Sequence, residues 1–153
     1  MANVNSPFGF LPYGTIAGMA PNMGFFPRKI LYSNSTPIFT GDPVTTQTTG
    51  YIAQSSADGS TQVAGIFWGC EYYSTAGKIP KQSPYWPGSD AANDVFPAFV
   101  IMNPNATFLV QTANSNTTAS AATLSNVGMT ANFAYASTNG NTTTGRSTAY
   151  LDL

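Results

Sequence analysis

The chain is 153 residues long, suited to a single domain, and a compact fold of that size buries roughly 70% of the surface its unfolded chain exposes. Only 7% of its residues are Asp, Glu, Lys or Arg and the net charge is −1, against about 25% charged residues in ordinary soluble proteins; the few basic residues are scattered, so the basic face needed for counterion release from nucleic acid is excluded. There is no histidine, which excludes triads and metal sites built on imidazole, and no apolar run approaches the roughly 20 residues of a membrane-spanning helix.

Residues 1–29 open the chain as a distinct segment in which Pro7, Pro12, Pro21 and Pro27 punctuate Phe8, Phe10, Leu11, Tyr13, Phe25 and Phe26. Proline at this density removes backbone donors and blocks helix, and the aromatics are too many to leave in water. An extended arm lying on another surface and a segment wrapping its own core are both open readings. The opening "MANVNSPFGFLPYG" lacks a basic n-region and an unbroken apolar stretch, so it does not read as a secretory signal.

From residue 30 to 153 the pattern predicts a single β domain. Candidate strands are "KILY", "PIFTGDPVTTQ", "GYIAQ", "QVAGIFWGCEYY", "FPAFVIM", "ATFLVQT" and "STAYLDL", with turn signals at "GDP", "ADGS", "NPN" and "TNGN". Many short apolar runs at this spacing predict a mainly β fold, a small antiparallel β-barrel or jelly-roll-like sandwich. The alternation is strictest in "VGMTANFAYA", where Val127, Met129, Ala131, Phe133 and Tyr135 share one side of a predicted strand. Residues 74–97, with Pro80, Pro84, Pro87 and Pro97, form a long predicted loop, of a length that is usually functional or interfacial. Only "TASAATLSNVG" suits a helical turn or two.

"GNTTTGRS" at 140–147 is one conservative change from a phosphate-binding loop. That loop needs a lysine against the phosphates and a helix starting at its end, whereas Arg146 stands at the lysine position and the following "STAYLDL" alternates like a strand. "STNGNTTTG" therefore reads as a hairpin loop feeding a last strand. The lone Cys70, inside "GIFWGCEYY", reads as a small buried hydrophobe and fits assembly in a reducing cytoplasm. Among six carboxylates, Asp42 and Asp58 sit beside glycines where they cap turn amides, Glu71 is flanked by aromatics and part-buried, and Asp90, Asn93 and Asp94 lack the spacing of a calcium loop. The expectation is no enzyme, no cofactor and no metal. A neutral skin of Thr, Ser, Asn, Gln and Gly is easily desolvated and suits a chain packed against neighbours; a low-charge secreted domain is the other reading.

"NSPFGFLPYG", "FTGDPV", "GIFWGCEYY", "TFLVQT" and "TTTGRSTAYLDL", in this order over most of the chain, resemble capsid decoration, or cement, proteins of tailed bacteriophages. The resemblance implies a structural virion protein, made in the host cytoplasm and bound to the capsid exterior. There it would clamp capsomers of a separate major capsid protein as a homo-oligomer, trimer before dimer, without nucleic-acid or membrane partners. The chain departs from such proteins in its scarcity of charge and in the aromatic, proline-rich 74–97 segment. The interface candidates are Phe8, Phe10, Leu11, Tyr13, Phe25 and Phe26 of the arm and Tyr85 and Trp86 of the loop. The alternative is a receptor- or glycan-binding β module of a spike or fibre, in which Tyr72, Tyr73, Tyr85 and Trp86 would stack on sugar faces; subunit contact ranks above it because Tyr and Trp are favoured interface anchors.

Overall fold

Runs of β-branched and aromatic residues become strands because their side chains pack well on a pleated, half-buried surface. A computed structural model describes residues 6–16, 24–57, 61–114 and 118–153. Its strands are β1 (Leu11–Thr15), β2 (Phe25–Ile30), β3 (Pro43–Thr46), β4 (Ile52–Gln54), β5 (Gly65–Tyr73), β6 (Pro80–Ser83), β7 (Val95–Ile101), β8 (Ala106–Leu109), β9 (Thr112–Asn114), β10 (Thr118–Ala119), β11 (Asn132–Asn141) and β12 (Arg146–Asp152). The mainly β expectation holds. Pairing between the described strands is antiparallel except for β9 with β12, and the sheets formed by the described residues do not close into a barrel. The expected Ala57–Ser60 turn lies largely, and Pro21 entirely, outside the described residues.

The largest sheet runs β2-β7-β5-β3-β4, with β6 also on β5. One edge of β5 is shared: β3 takes Gly65 and Ile66, while β6 takes Cys70 through Tyr73. Between these halves the register shifts at Gly69, whose φ of 139° lies in the region glycine favours. Such a bulge inserts one residue and so restores phase. It keeps Phe67, Cys70 and Tyr72 in one core with Ile30, Ile38, Val44, Ile52, Trp86, Val95, Ala98 and Val100. Alternation sends Ile66 and its β7 partner Ile101 to the opposite face, where both are also buried.

Two smaller elements complete the fold, the sheet β10-β9-β12-β11 and the ribbon β1-β8. Described residues of the expected arm are knitted into the domain: β1 pairs with β8, the Gly9 amide donates to Ala149 O at 3.2 Å and the Phe10 amide to Gly41 O at 3.0 Å. A boundary at residue 29 falls inside β2, an edge strand of the main sheet. The 74–97 segment is likewise not a bare loop, since it carries β6 and bridges Trp86 to Ile38 and Ala91 to Ser74.

The alternation at 127–136 runs past the strand it marks, for β11 begins only at Asn132. Upstream, a 3₁₀ turn at Leu124–Asn126 takes the backbone: Asn126 Oδ1 accepts the Thr123 amide at 2.8 Å and the Val127 amide donates to Leu124 O at 3.2 Å. Val127 and Met129 are left exposed.

The stretch "GNTTTGRS" forms the turn of the β11–β12 hairpin. Asn141 Oδ1 accepts the amides of Thr143 at 2.9 Å and Thr144 at 3.1 Å, so the donors a phosphate would need are taken by the chain itself. Both glycines serve packing. A Cβ on Gly140 would fall inside the Phe39 ring, and one on Gly145, at φ 70°, would approach Pro84 Cγ to 2.6 Å. Phe39 is buried and stacked on Tyr85 at 5.2 Å and 9°, so its ring has nowhere to move. Gly140→Ala is therefore expected to destabilise the fold by about 1–3 kcal/mol, the cost of overpacking a filled site. Thr142→Ala on the exposed turn is expected to stay within about 0.5 kcal/mol of the parent; equal urea midpoints for the two variants would contradict this packing account.

Candidate functional site

The residues expected at an interface separate into three groups. Tyr13 is 78% exposed, and Phe25 and Phe26 are each 49% exposed. Phe8, Phe10 and Leu11 are half-buried, with Phe10 edge-on to Phe108 at 6.2 Å. Tyr85, also half-buried, spends a ring face on Phe39.

Trp86 needs correction as a docking residue, being 0% exposed. Its Nε1 donates to Asn34 O at 3.1 Å and its ring meets Tyr72 edge-on at 5.5 Å. An indole whose one donor is satisfied indoors can be buried whole, and the backbone bridge to Ile38 sets it as a plug over the core.

The exposed apolar side chains sit on two separate strand pairs. On β1–β8, which the Ile16 amide extends by donating to Asn105 O at 2.8 Å, they are Tyr13, Ile16 and Leu109. On β2, which pairs with β7, they are Phe25 and Phe26, on opposite faces of the strand. The Arg28 guanidinium within it is drawn aside, donating to Met102 Sδ at 3.2 and 3.3 Å.

A second surface is a groove of about 580 Å³ where the end of β5, β6 and the start of β7 meet, lined by Glu71, Tyr72, Tyr73, Lys81, Asn93, Asp94 and Phe96 among others. Asp94 is held there by the Tyr51 hydroxyl at 2.7 Å and the Tyr32 amide at 3.2 Å, and these hydrogen bonds, Tyr51 foremost, lower its pKa. Asp90 serves the neighbouring turn, accepting from the Ala76 amide and Ser74 Oγ, each at 2.8 Å. The two carboxylates thus hold different loops.

Asp42 does cap a turn amide, but in a setting the sequence does not announce. It is fully buried, and its Oδ2 accepts both the Phe39 amide and Gln54 Nε2 at 2.8 Å. Oδ1 has no hydrogen bond of ordinary geometry, although the Ser147 hydroxyl lies beside it. Burial, outweighing these donors, pushes its pKa up to about 7. Nearby, Tyr135 is raised by burial and by the Asp42 charge, and its hydroxyl donates to Ser55 O at 3.0 Å. Protonation at Oδ1 turns an orphaned acceptor into a donor that Ser147 Oγ can receive. Cys70 is buried as expected, and burial followed by the charge of Glu71 pushes its thiol up to about 12, far from reactive.

Comparisons with family models, with curated proteins and with solved structures find no match to this chain.

The pH dependence follows from Asp42. Its folded pKa, about 7, lies above the ordinary 3.8, so the folded chain holds the extra proton between these values and stability falls as pH rises through that window. The full swing is up to about 4 kcal/mol. Asp42→Asn keeps the acceptor for Phe39 and Gln54 and is expected to flatten the slope between pH 4 and 7. Asp90 and Asp94, with lowered pKa values, act below this window and with the opposite sign. Urea midpoints at pH 5 and 8 check this; a variant keeping the parent's slope would assign the slope to another group.

Proposed function

We propose that this chain is a structural virion protein that binds the outside of a phage shell and clamps neighbouring capsomers of the major capsid protein. The observation that carries the reading is the number of large apolar side chains left exposed, Tyr13, Ile16 and Leu109 on the β1–β8 pair and Phe25 and Phe26 on the edge strand β2, on a chain with 7% charged residues. Aromatic anchors surrounded by neutral polar groups are the composition of an interface centre, where charge is depleted and a few rings dominate the energy. An edge strand invites a partner, and Pro27 in β2 limits indiscriminate strand addition by withholding a donor.

The role is passive. Packed nucleic acid strains the joints between capsomers, and a bridging protein adds its binding free energy at every joint, multiplied by avidity when several copies act as one oligomer. No covalent chemistry is required of any residue, and the binding surface need only be broad, rigid and slow to release. The same reading places the chain on the capsid exterior and makes it a homo-oligomer there.

Truncating the first residues would confound binding with stability, because Gly9 and Phe10 are bonded into the domain. Tyr13→Ser with Phe25→Ser is the cleaner test, since both rings are exposed. Removing two anchors is expected to cost at least about 2 kcal/mol each where they are buried by a partner, and so to strip the protein from purified shells while thermal unfolding and β-type circular dichroism stay at parent values. Full occupancy of shells by the double variant, or shells equally resistant to heat and osmotic shock without the chain, would overturn the proposal.

A further inference from the structure

The groove between β5, β6 and the start of β7 shares no lining residue with the exposed apolar set on β1, β8 and β2 and is built differently. Two large rings stand half-exposed on it, Tyr73 and Phe96. Tyr73 is fixed in place by its own hydroxyl, which donates to Lys78 O at 2.7 Å. The Lys29 ammonium lies 5.9 Å from the Phe96 ring centre. Around these rings are two carboxylates, two amides and an amine: Glu71, Asp94, Gln82, Asn93 and Lys81. Asp94 is a preset acceptor, oriented by Tyr51 and the Tyr32 amide.

A buried polar atom also points to a ligand. Tyr72 lines the groove yet is only 6% exposed; the Lys81 ammonium beside its hydroxyl can only donate to the oxygen, and no acceptor of ordinary geometry takes the hydroxyl proton. Its charged neighbour is Lys81, whose ammonium lies 5.8 Å from the ring centre and lowers the Tyr72 pKa, while burial, the larger effect, raises it. A buried donor left unmatched is costly, and it becomes useful when a ligand hydroxyl, or a water it orders, completes the bond. Lys81 is exposed and has a flexible stem, so it can swing aside from that hydroxyl.

We infer that this groove is a saccharide site, taking a neutral pyranose of an oligosaccharide. The C–H face of such a ring packs on a fixed aromatic face, and its hydroxyls, each both donor and acceptor, match a rim that mixes carboxylate, amide and ammonium. An apolar ligand would strip water from five polar groups without replacing it. An acidic sugar or a phosphate meets two carboxylates, Glu71 and Asp94, against two ammonium groups, Lys81 and the Lys29 over Phe96, and so gains no net charge attraction over a neutral ring. A groove of about 580 Å³ falls within the size range of small-ligand sites.

The test uses the full chain on an array of neutral gluco-, galacto-, manno- and N-acetylhexosamine oligosaccharides beside sialylated ones, followed by saturation-transfer NMR with the strongest neutral hit. Neutral glycans are expected to bind in the millimolar range or tighter. Tyr73→Ala and Phe96→Ala, at exposed positions, should each weaken binding at least about tenfold, equivalent to losing one stacking contact. Tyr73→Phe retains the ring and should stay within about twofold of the parent. Tyr13→Ser, on β1, should leave sugar binding unchanged, which separates this site from the surface proposed to bind the shell. No neutral glycan bound at about 10 mM, binding confined to sialylated probes, or undiminished binding by both ring-to-Ala variants would each overturn the assignment.

Discussion

Five consecutive residues, Ile38 to Asp42, hold the fold together by spending their backbone hydrogen bonds on four different parts of the chain. Ile38 and Trp86 exchange both bonds, at 2.9 and 2.8 Å; the Thr40 amide donates to Gly145 O and accepts at its carbonyl from Ser147. The Gly41 amide reaches Phe67 O at 2.8 Å, its carbonyl takes the Phe10 amide, and Asp42 O takes the Phe67 amide at 2.9 Å. A buried peptide group must find a partner somewhere. Here one short segment satisfies the main sheet, the β11–β12 hairpin, the proline-rich segment around Trp86 and the N-terminal run at once. The geometry depends on Gly41, at φ 92°, where a Cβ would also stand 3.0 Å from the Phe10 amide nitrogen. Loosening this segment would release all four together, which ties their stability to one another.

The burial of Asp42 follows from that crossing. Where the four segments meet, the Phe39 amide and the Gln54 side chain are left over as donors, and a single carboxyl oxygen accepts both. Burial raises its pKa to about 7, so near neutral pH the carboxyl is about half protonated and the site gains acceptors without enclosing a full charge. Asp90 and Asp94 are used in the same spirit at the surface, one closing the turn after β5 and the other tying the start of β7 to Tyr32 and Tyr51. Half of a very small set of carboxylates thus goes to architecture, leaving a skin of neutral polar groups that sheds water at low cost when another surface covers it.

What was legible in the sequence was local. β-branched and aromatic runs marked strands, "STNGNTTTG" marked the last hairpin, and Cys70 read as buried because its neighbours are apolar. The fate of Trp86 was not legible, because flanking prolines announce a turn without saying which way its ring points; the direction is set by the bridge to Ile38, 48 positions away in the chain. Nor does alternation at 127–136 reveal that turn chemistry at Thr123 and Asn126 captures the first half. The groove is non-local in the same way. Its rings and acids come from 71–73, 80–82 and 93–96, and they meet only because β6 and β7 flank β5 in a register that sequence spacing does not encode.

The two proposed surfaces share β7 and β2 but use opposite ends of them. Phe96 stands at the start of β7, on the groove with Lys29 of β2 over its ring, while Ile101 at the other end of β7 pairs with Phe25. At the rise of an extended strand Phe96 and Ile101 are about 17 Å apart. On the proposed reading, a partner laid over Phe25 need not cover the groove, and a sugar in the groove would not compete for Phe25. A domain held on a shell in that way would keep the groove's rings and acids available to whatever surface the particle meets. The low charge would serve both tasks, since neutral polar groups desolvate at low cost and a sparse set of fixed acids would orient a sugar.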